Sequence, residues 1–194
     1  MKEKIKKAFK DSITVKQQFV DANIDTIIEV SRLLADTFSR GNKLLLFGNG
    51  GSASDASHIA AEFVNRFKKE RPAFPALALN TDMAVLTSIA NDYDYSEIFA
   101  RQMKAFAQEN DVVIAISTSG SSPNVIKAVN VARRKKLKTI AFTGAKGDEL
   151  ASKCDYIFAV PSSDTPRVQE THITLAHVLC QMVEEILFEA YRGK

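Results

Sequence analysis

Val112-Val-Ile-Ala-Ile-Ser117-Thr118-Ser119-Gly120-Ser121-Ser122-Pro123 passes from an unbroken apolar run to five hydroxyls around a single glycine, and then to a proline. An apolar run of this length, without polar alternation, is the mark of a parallel strand buried on both faces. Proline suits the first turn of a helix and serine suits its cap. The stretch therefore reads as strand, turn, helix. In open α/β sheets ligands bind beyond the carboxyl ends of the strands, where such turns lie. A bare cap needs one hydroxyl. Five suit a phosphate monoester held by hydroxyls and backbone N–H groups, with no obligatory Lys or Arg.

The same alternation continues on both sides. Short apolar runs at Lys43–Phe47, Ala76–Leu79, Thr139–Thr143 and Tyr156–Val160 are separated by amphipathic stretches near 53–68, 82–90, 96–108, 123–136 and 147–153, and a long helix follows at about 166–190. This pattern predicts an α/β domain, a parallel sheet with helices on both faces. Residues 3–39 carry helical periodicity, with a break expected near Asp21–Asn23 and a stop at Gly41-Asn42. The reading is one domain over 1–194, with an N-terminal helical extension over 1–40 and an αβα core over 41–194.

Composition narrows the function. A net charge of +3, with basic residues scattered apart from Lys2–Lys10 and Arg133–Lys138, gives no footprint for nucleic acid. The opening MKEKIKKAFK leads into no apolar signal core and no run approaches a membrane span, so no membrane partner is expected. Cys154 and Cys180 are too few for a disulfide framework. A cytoplasmic protein is expected.

Two further segments carry chemistry. The first strand ends in Gly48-Asn49-Gly50-Gly51-Ser52, whose glycines permit close backbone approach to an anion at a helix N-terminus. It departs from a dinucleotide fingerprint, lacking the third glycine, and from a P-loop, lacking the lysine. His58 and Glu62 follow at i, i+4, on one helix face, a spacing that serves either a metal or an oriented carboxylate. In the last helix, Gln169 and His177 lie about 80° apart on the wheel and can share a site; His172 and His177 lie about 140° apart and do not. His177, in an apolar stretch, also admits the reading of a core histidine.

GNGGS with His58-x-x-x-Glu62, Asn91-Asp92 within IANDYDY, ISTSGSS, and RVQE followed by His177 together resemble the sugar isomerase (SIS) family, and within it the phosphoheptose isomerases, over nearly the whole chain. The resemblance implies a three-layer αβα sandwich with a five-stranded parallel sheet preceded by N-terminal helices, and a homotetramer with active sites between subunits. It implies a phosphate held by Ser117, Thr118, Ser119 and Ser122. Asn49, Gly50, Gly51, Ser52, Glu62, Asn91, Asp92 and Gln169 would contact the rest of the substrate. Zinc, one per subunit, would be bound by His58, Glu62, Gln169 and His177. The implied reaction is sedoheptulose 7-phosphate to D-glycero-D-manno-heptose 7-phosphate, the first step toward ADP-heptose for lipopolysaccharide. Glu62 is then the candidate base for the carbon proton and His177 the shuttle for the oxygen protons. A tight zinc ligand is not simultaneously a free base, so one of the two roles of Glu62 yields during turnover.

A rival reading comes from proteins of the same fold that associate with the replication initiator DnaA, which NRFKKERPAFPALALNTD and VLTSIAND also resemble. Those relatives generally lack the acidic residue at Glu62 and the histidine at His177. Both are present here, together with Gln169, which favours the enzyme. Another SIS isomerase, acting on an arabinose or hexulose phosphate, is the nearer alternative.

Overall fold

A computed structural model describes residues 1–192. Helix α1 (Lys2–Ser39) leads into strand β1 (Leu44–Gly48), α2 (Gly51–Val64), β2 (Ala76–Ala78) and α3 (Met83–Asp92). A 3-10 turn (Tyr95–Glu97), α4 (Ile98–Phe106), β3 (Val112–Ser117), α5 (Pro123–Arg134), β4 (Lys138–Gly144), α6 (Asp148–Ala151), β5 (Tyr156–Val160) and α7 (Thr165–Arg192) complete the order.

All strand pairs are parallel, in the order β2-β1-β3-β4-β5. Successive side chains of a strand point to opposite faces, and the core divides accordingly. Leu44 and Leu46 of β1, with Val112, Ile114 and Ile116 of β3, pack under α1, α2 and α7. Leu45 and Phe47, with Val113 and Ala115, pack under α4 and α5. This is the expected three-layer sandwich, and the buried central strands explain why β1 and β3 read as continuous apolar runs.

One expectation is corrected. Helix α1 does not break at Asp21–Asn23 but runs unbroken from Lys2 to Ser39. Neither glycine nor proline interrupts it. Asn23 turns its amide back to the Phe19 carbonyl (2.8 Å) and Gln17 donates to Asp21 (2.8 Å), so these polar residues are satisfied within the helix. The stop comes where expected. Gly41 takes φ 77°, and the N–H groups of Gly41 and Asn42 close on the carbonyls of Phe38 and Thr37. Phe19, Ile27, Val30 and Leu34 of α1 join the main core, whereas Ile5, Phe9 and Ile13 are exposed.

Strand order reverses between β1 and β3, the switch point at which an open α/β sheet offers its crevice. The GNGGS turn leaves one of these strands and the STSGSS turn leaves the other.

Candidate active site

The two turns are held together directly. Asn49 Nδ2 donates to Asn124 Oδ1 (2.9 Å), and Asn124 Nδ2 donates back to Asn49 Oδ1 (2.9 Å). Tyr95 Oη also donates to Asn49 Oδ1 (3.1 Å). Asn124, buried in the first turn of α5, is a residue the sequence did not reveal: nothing in its local pattern announces a partner seventy-five positions away. Gly48 has to be glycine, because a Cβ there would meet the Ile116 carbonyl at 2.8 Å. Gly50 takes φ 56° just ahead of α2, and Ser52 is buried beneath the turn.

In the second turn the hydroxyls of Ser117 and Ser122 meet at 3.1 Å, and Ser119 approaches Ser117 at 3.5 Å. Ser122 occupies the cap position of α5 without a side-chain capping bond, so its hydroxyl serves the turn instead of the helix. Gly120 takes φ 66°, and a Cβ on it would lie 2.3 Å from Gly147 Cα. That close approach draws the segment after β4 against the turn. Thr118, Ser119 and Ser121 thus line a cleft of about 390 Å³ with Lys146, Ser162 and Thr165. Lys146 adds a cation that the hydroxyl-only reading of the sequence lacked.

A second cluster forms between α2 and α7. His58 Nε2 lies 3.0 Å from Glu62 Oε1, and His177 Nε2 lies 3.5 Å from His58 Nε2. The two imidazoles meet edge to face, centroids 5.1 Å apart. Donor atoms of all three side chains fall within 4.8 Å of one another. Two imidazole nitrogens and one carboxylate oxygen are the donor set of a zinc site with three protein ligands and an open position. The residues fit such an ion. Gln169 lies further along the groove: its amide rests against Gly51, where a Cβ would come within 2.3 Å of Nε2. Gly51 precedes His58 by seven residues, about 10 Å of helix.

Asp55, one turn before His58, was not singled out from the sequence either. Its Oδ2 is buried without a hydrogen-bond partner. Burial raises its pKa, while the charge of His58 works in the other direction. Asn91 and Asp92 end α3 on an exposed surface, where the amide of Asn91 donates to the carboxylate of Asp92 (2.9 Å). Within this chain they join neither cluster by a hydrogen bond to it. His172, by contrast, is core: it is 1% exposed and its Nε2 donates to the Thr143 carbonyl (3.1 Å).

With this geometry in hand, comparison with known proteins identifies the family. Residues 8–144 match the SIS domain family. The phosphoheptose isomerase of Thermodesulfovibrio yellowstonii is 66% identical over 100% of this chain and 96% of its own. That of Aquifex aeolicus is 51% identical over 97% and 99%. Among solved structures, the phosphoheptose isomerase of Neisseria gonorrhoeae aligns with a TM-score of 0.89 at 36% identity, over 95% of this chain and 98% of that one. Within the described residues, no helix is long and apolar enough to cross a membrane. A hydroxyl-lined turn at the switch point, a carboxylate–histidine cluster further along α2, and full-length similarity lead to one assignment: the chain belongs to the SIS domain family and, within it, to the phosphoheptose isomerases, which are aldose–ketose isomerases.

Proposed function

We propose that the enzyme converts sedoheptulose 7-phosphate to D-glycero-D-manno-heptose 7-phosphate, opening the route to ADP-heptose for surface polysaccharide. The observation that carries this reading is the meeting of Glu62, His58 and His177 in one cluster on the flank of α2 and α7. Ser52 and Glu62 are ten residues apart on α2, about 15 Å of helix axis. A substrate that touches both ends must be elongated, as an extended seven-carbon sugar phosphate is.

In this reading the turn of Ser117, Thr118, Ser119 and Ser122, with Lys146, holds the phosphate. Asn49, Gly50, Gly51, Asn91, Asp92 and Gln169 direct the sugar. Glu62 takes a proton from C1 of the ketose while His177 supplies one to the C2 oxygen, giving a cis-enediol. His177 then withdraws the proton of the C1 hydroxyl and Glu62 returns its proton to C2, giving the aldose. No atom is gained or lost. Positioned acid–base groups of this kind each contribute about 10²–10⁴-fold. His58, Glu62 and His177 would hold a zinc ion, with Gln169 as a fourth ligand once its amide leaves Gly51, and zinc when bound supplies Lewis-acid stabilisation of negative charge on the sugar oxygens.

The assembly we propose is a homotetramer with sites completed between subunits. Support comes from the outer stripe of α1, where Ile5, Phe9, Ile13, Ile24 and Ile28 recur at helical spacing and stay exposed in the isolated chain. Both cysteines are free thiols, which suits the reducing cytoplasm.

One experiment tests the reading. Purified protein is incubated with sedoheptulose 7-phosphate and the products are followed by NMR, with the same preparation weighed by light scattering and assayed for metal. An aldoheptose 7-phosphate, a mass four times that of the chain and stoichiometric zinc are expected. Absence of aldoheptose from zinc-loaded protein rejects the assignment of substrate. A monomer or metal-free active protein rejects the corresponding part.

A further inference from the structure

Between α2 and β2 the chain runs through residues 65–75 with no helix or strand to fix it. A buried carboxylate fixes it instead. Glu184 Oε1 accepts the backbone N–H of Phe67 (2.8 Å), and Oε2 accepts those of Lys68 (2.9 Å) and Lys69 (3.1 Å). Arg71 Nε donates to Glu184 Oε1 (2.8 Å), and the side chains of this pair are 5% and 2% exposed. The other guanidinium N–H groups of Arg71 reach the carbonyls of Glu62, Phe63 and Pro72. Three consecutive amides gathered on one carboxylate set the backbone at residues 67–69, and with it the direction of the Phe67 side chain.

That direction is toward the reacting cluster. The Phe67 ring stacks on His177, centroids 5.5 Å apart and planes at 26°. His58 meets the same imidazole from another side, at 5.1 Å and 70°. An imidazole held between two rings cannot turn about its Cβ–Cγ bond without losing contact with one of them. Glu184 follows His177 by seven residues, about 20° around the helix. One face of α7 therefore carries both the imidazole and the anchor of the ring that packs on it.

Two features separate this from ordinary packing. Phe67 is only partly buried, at the margin of the core. A loop that merely needed closing could be held by an apolar residue at position 184, without desolvating a carboxylate and a guanidinium. We propose that Phe67 is a positioning residue for His177, and that the Glu184–Arg71 pair sets the loop that presents it. This deepens the proton-transfer role assigned to His177 above and rests on it.

Phe67→Leu and Phe67→Tyr are to be compared with the unaltered enzyme by steady-state kinetics and by NMR of the histidine ring protons. Phe67→Leu lowers kcat about tenfold to a hundredfold, the size expected for a misplaced catalytic group, while KM stays within about twofold. In the same variant the His177 ring protons lose the shift that a stacked aromatic imposes, and those of His172, in the core, do not move. Phe67→Tyr keeps the ring and restores both. The proposal is overturned if Phe67→Leu keeps full kcat, if its His177 resonances stay in place, or if the tyrosine variant is as slow as the leucine variant. Should the unaltered protein make no aldoheptose, the parent reading fails, and the His177 resonances still decide whether Phe67 orients that ring.

Discussion

His172 and His177 lie five residues apart on α7, and about 140° around its axis, so one faces the sheet and the other faces α2. His172 is sealed against β4, with Nε2 donating to the Thr143 carbonyl and Nδ1 left without a partner. Burial drives its pKa down to about 4, against the modest opposing effect of that hydrogen bond. His177 stands in a half-open groove with His58, Glu62 and Phe67 around it. The same side chain is a neutral strut in one place and, in the function proposed above, a proton shuttle in the other. Access and neighbours make the difference, and residue type does not.

The comparison is tested most severely on activity. Glu62→Gln or His177→Asn should lower kcat about 10²–10⁴-fold, the range for a lost acid–base group. Unfolding midpoints should hardly move, because both side chains sit at a margin and not in the core. His172→Leu should show the reverse, near-normal kcat with reduced stability. Proton exchange at C1 and C2 persisting at full rate in Glu62→Gln would remove Glu62 as the base. Loss of activity in His172→Leu comparable to that in His177→Asn would erase the distinction between the two histidines.

The next effect is on stability against pH. The imidazole of His172 titrates near 6.5 when unfolded and about 4 when folded. Between those values the unfolded chain holds the extra proton, so stability is full above about pH 6.5, falls as pH drops toward 4, and levels off below. The whole limb is worth about 3 kcal/mol. Glu184 acts in a lower window. Although burial alone would raise its pKa, the N–H groups of residues 67–69 and Arg71 bring it below the usual carboxylate value. Its contribution is therefore present above about pH 4.5 and lost as pH falls further. Urea unfolding from pH 7.5 to 4 should show a decline that His172→Leu flattens. An unchanged slope in that variant would place the titrating group elsewhere.

Sequence made one of these histidines legible and left much of its setting hidden. The 80° between Gln169 and His177 and the i, i+4 spacing of His58 and Glu62 are local regularities, readable because a helix converts spacing into direction. The apolar runs of β1 and β3, and the glycine that ends α1, are local in the same sense. What escaped is what the fold brings together from afar. Phe67 and Glu184 are 117 positions apart, Asn49 and Asn124 are 75 apart, and no periodicity links either pair. Lys146 enters the cleft only because Gly120 and Gly147 pack back to back. At Asp21–Asn23 local reasoning misled: Asn23 bonds back to the Phe19 carbonyl and Gln17 holds Asp21, so these polar side chains are accommodated within the helical hydrogen bonding and do not divert it.

The smallest expected effect lies in the serine turn, where buried and open versions of one side chain again stand side by side. Ser117 is 5% exposed, and its hydroxyl accepts the N–H of Gly120 (3.2 Å), whose positive φ makes the turn. Ser119 is exposed, and its hydroxyl meets Ser121 (3.2 Å) and the cleft. Ser119→Ala would remove one hydrogen bond to the charged phosphate, about 1.5 kcal/mol, so KM should rise about tenfold with kcat nearly unchanged and stability within about 0.5 kcal/mol. Ser117→Ala should lower stability as well, because the Gly120 N–H keeps only the Ser117 carbonyl (3.1 Å) and the Ser122 hydroxyl loses its partner within the turn. A Ser119→Ala enzyme with unaltered KM would mean that the phosphate is held by backbone N–H groups and Lys146 alone. The hydroxyls would then shape the turn without touching the ligand.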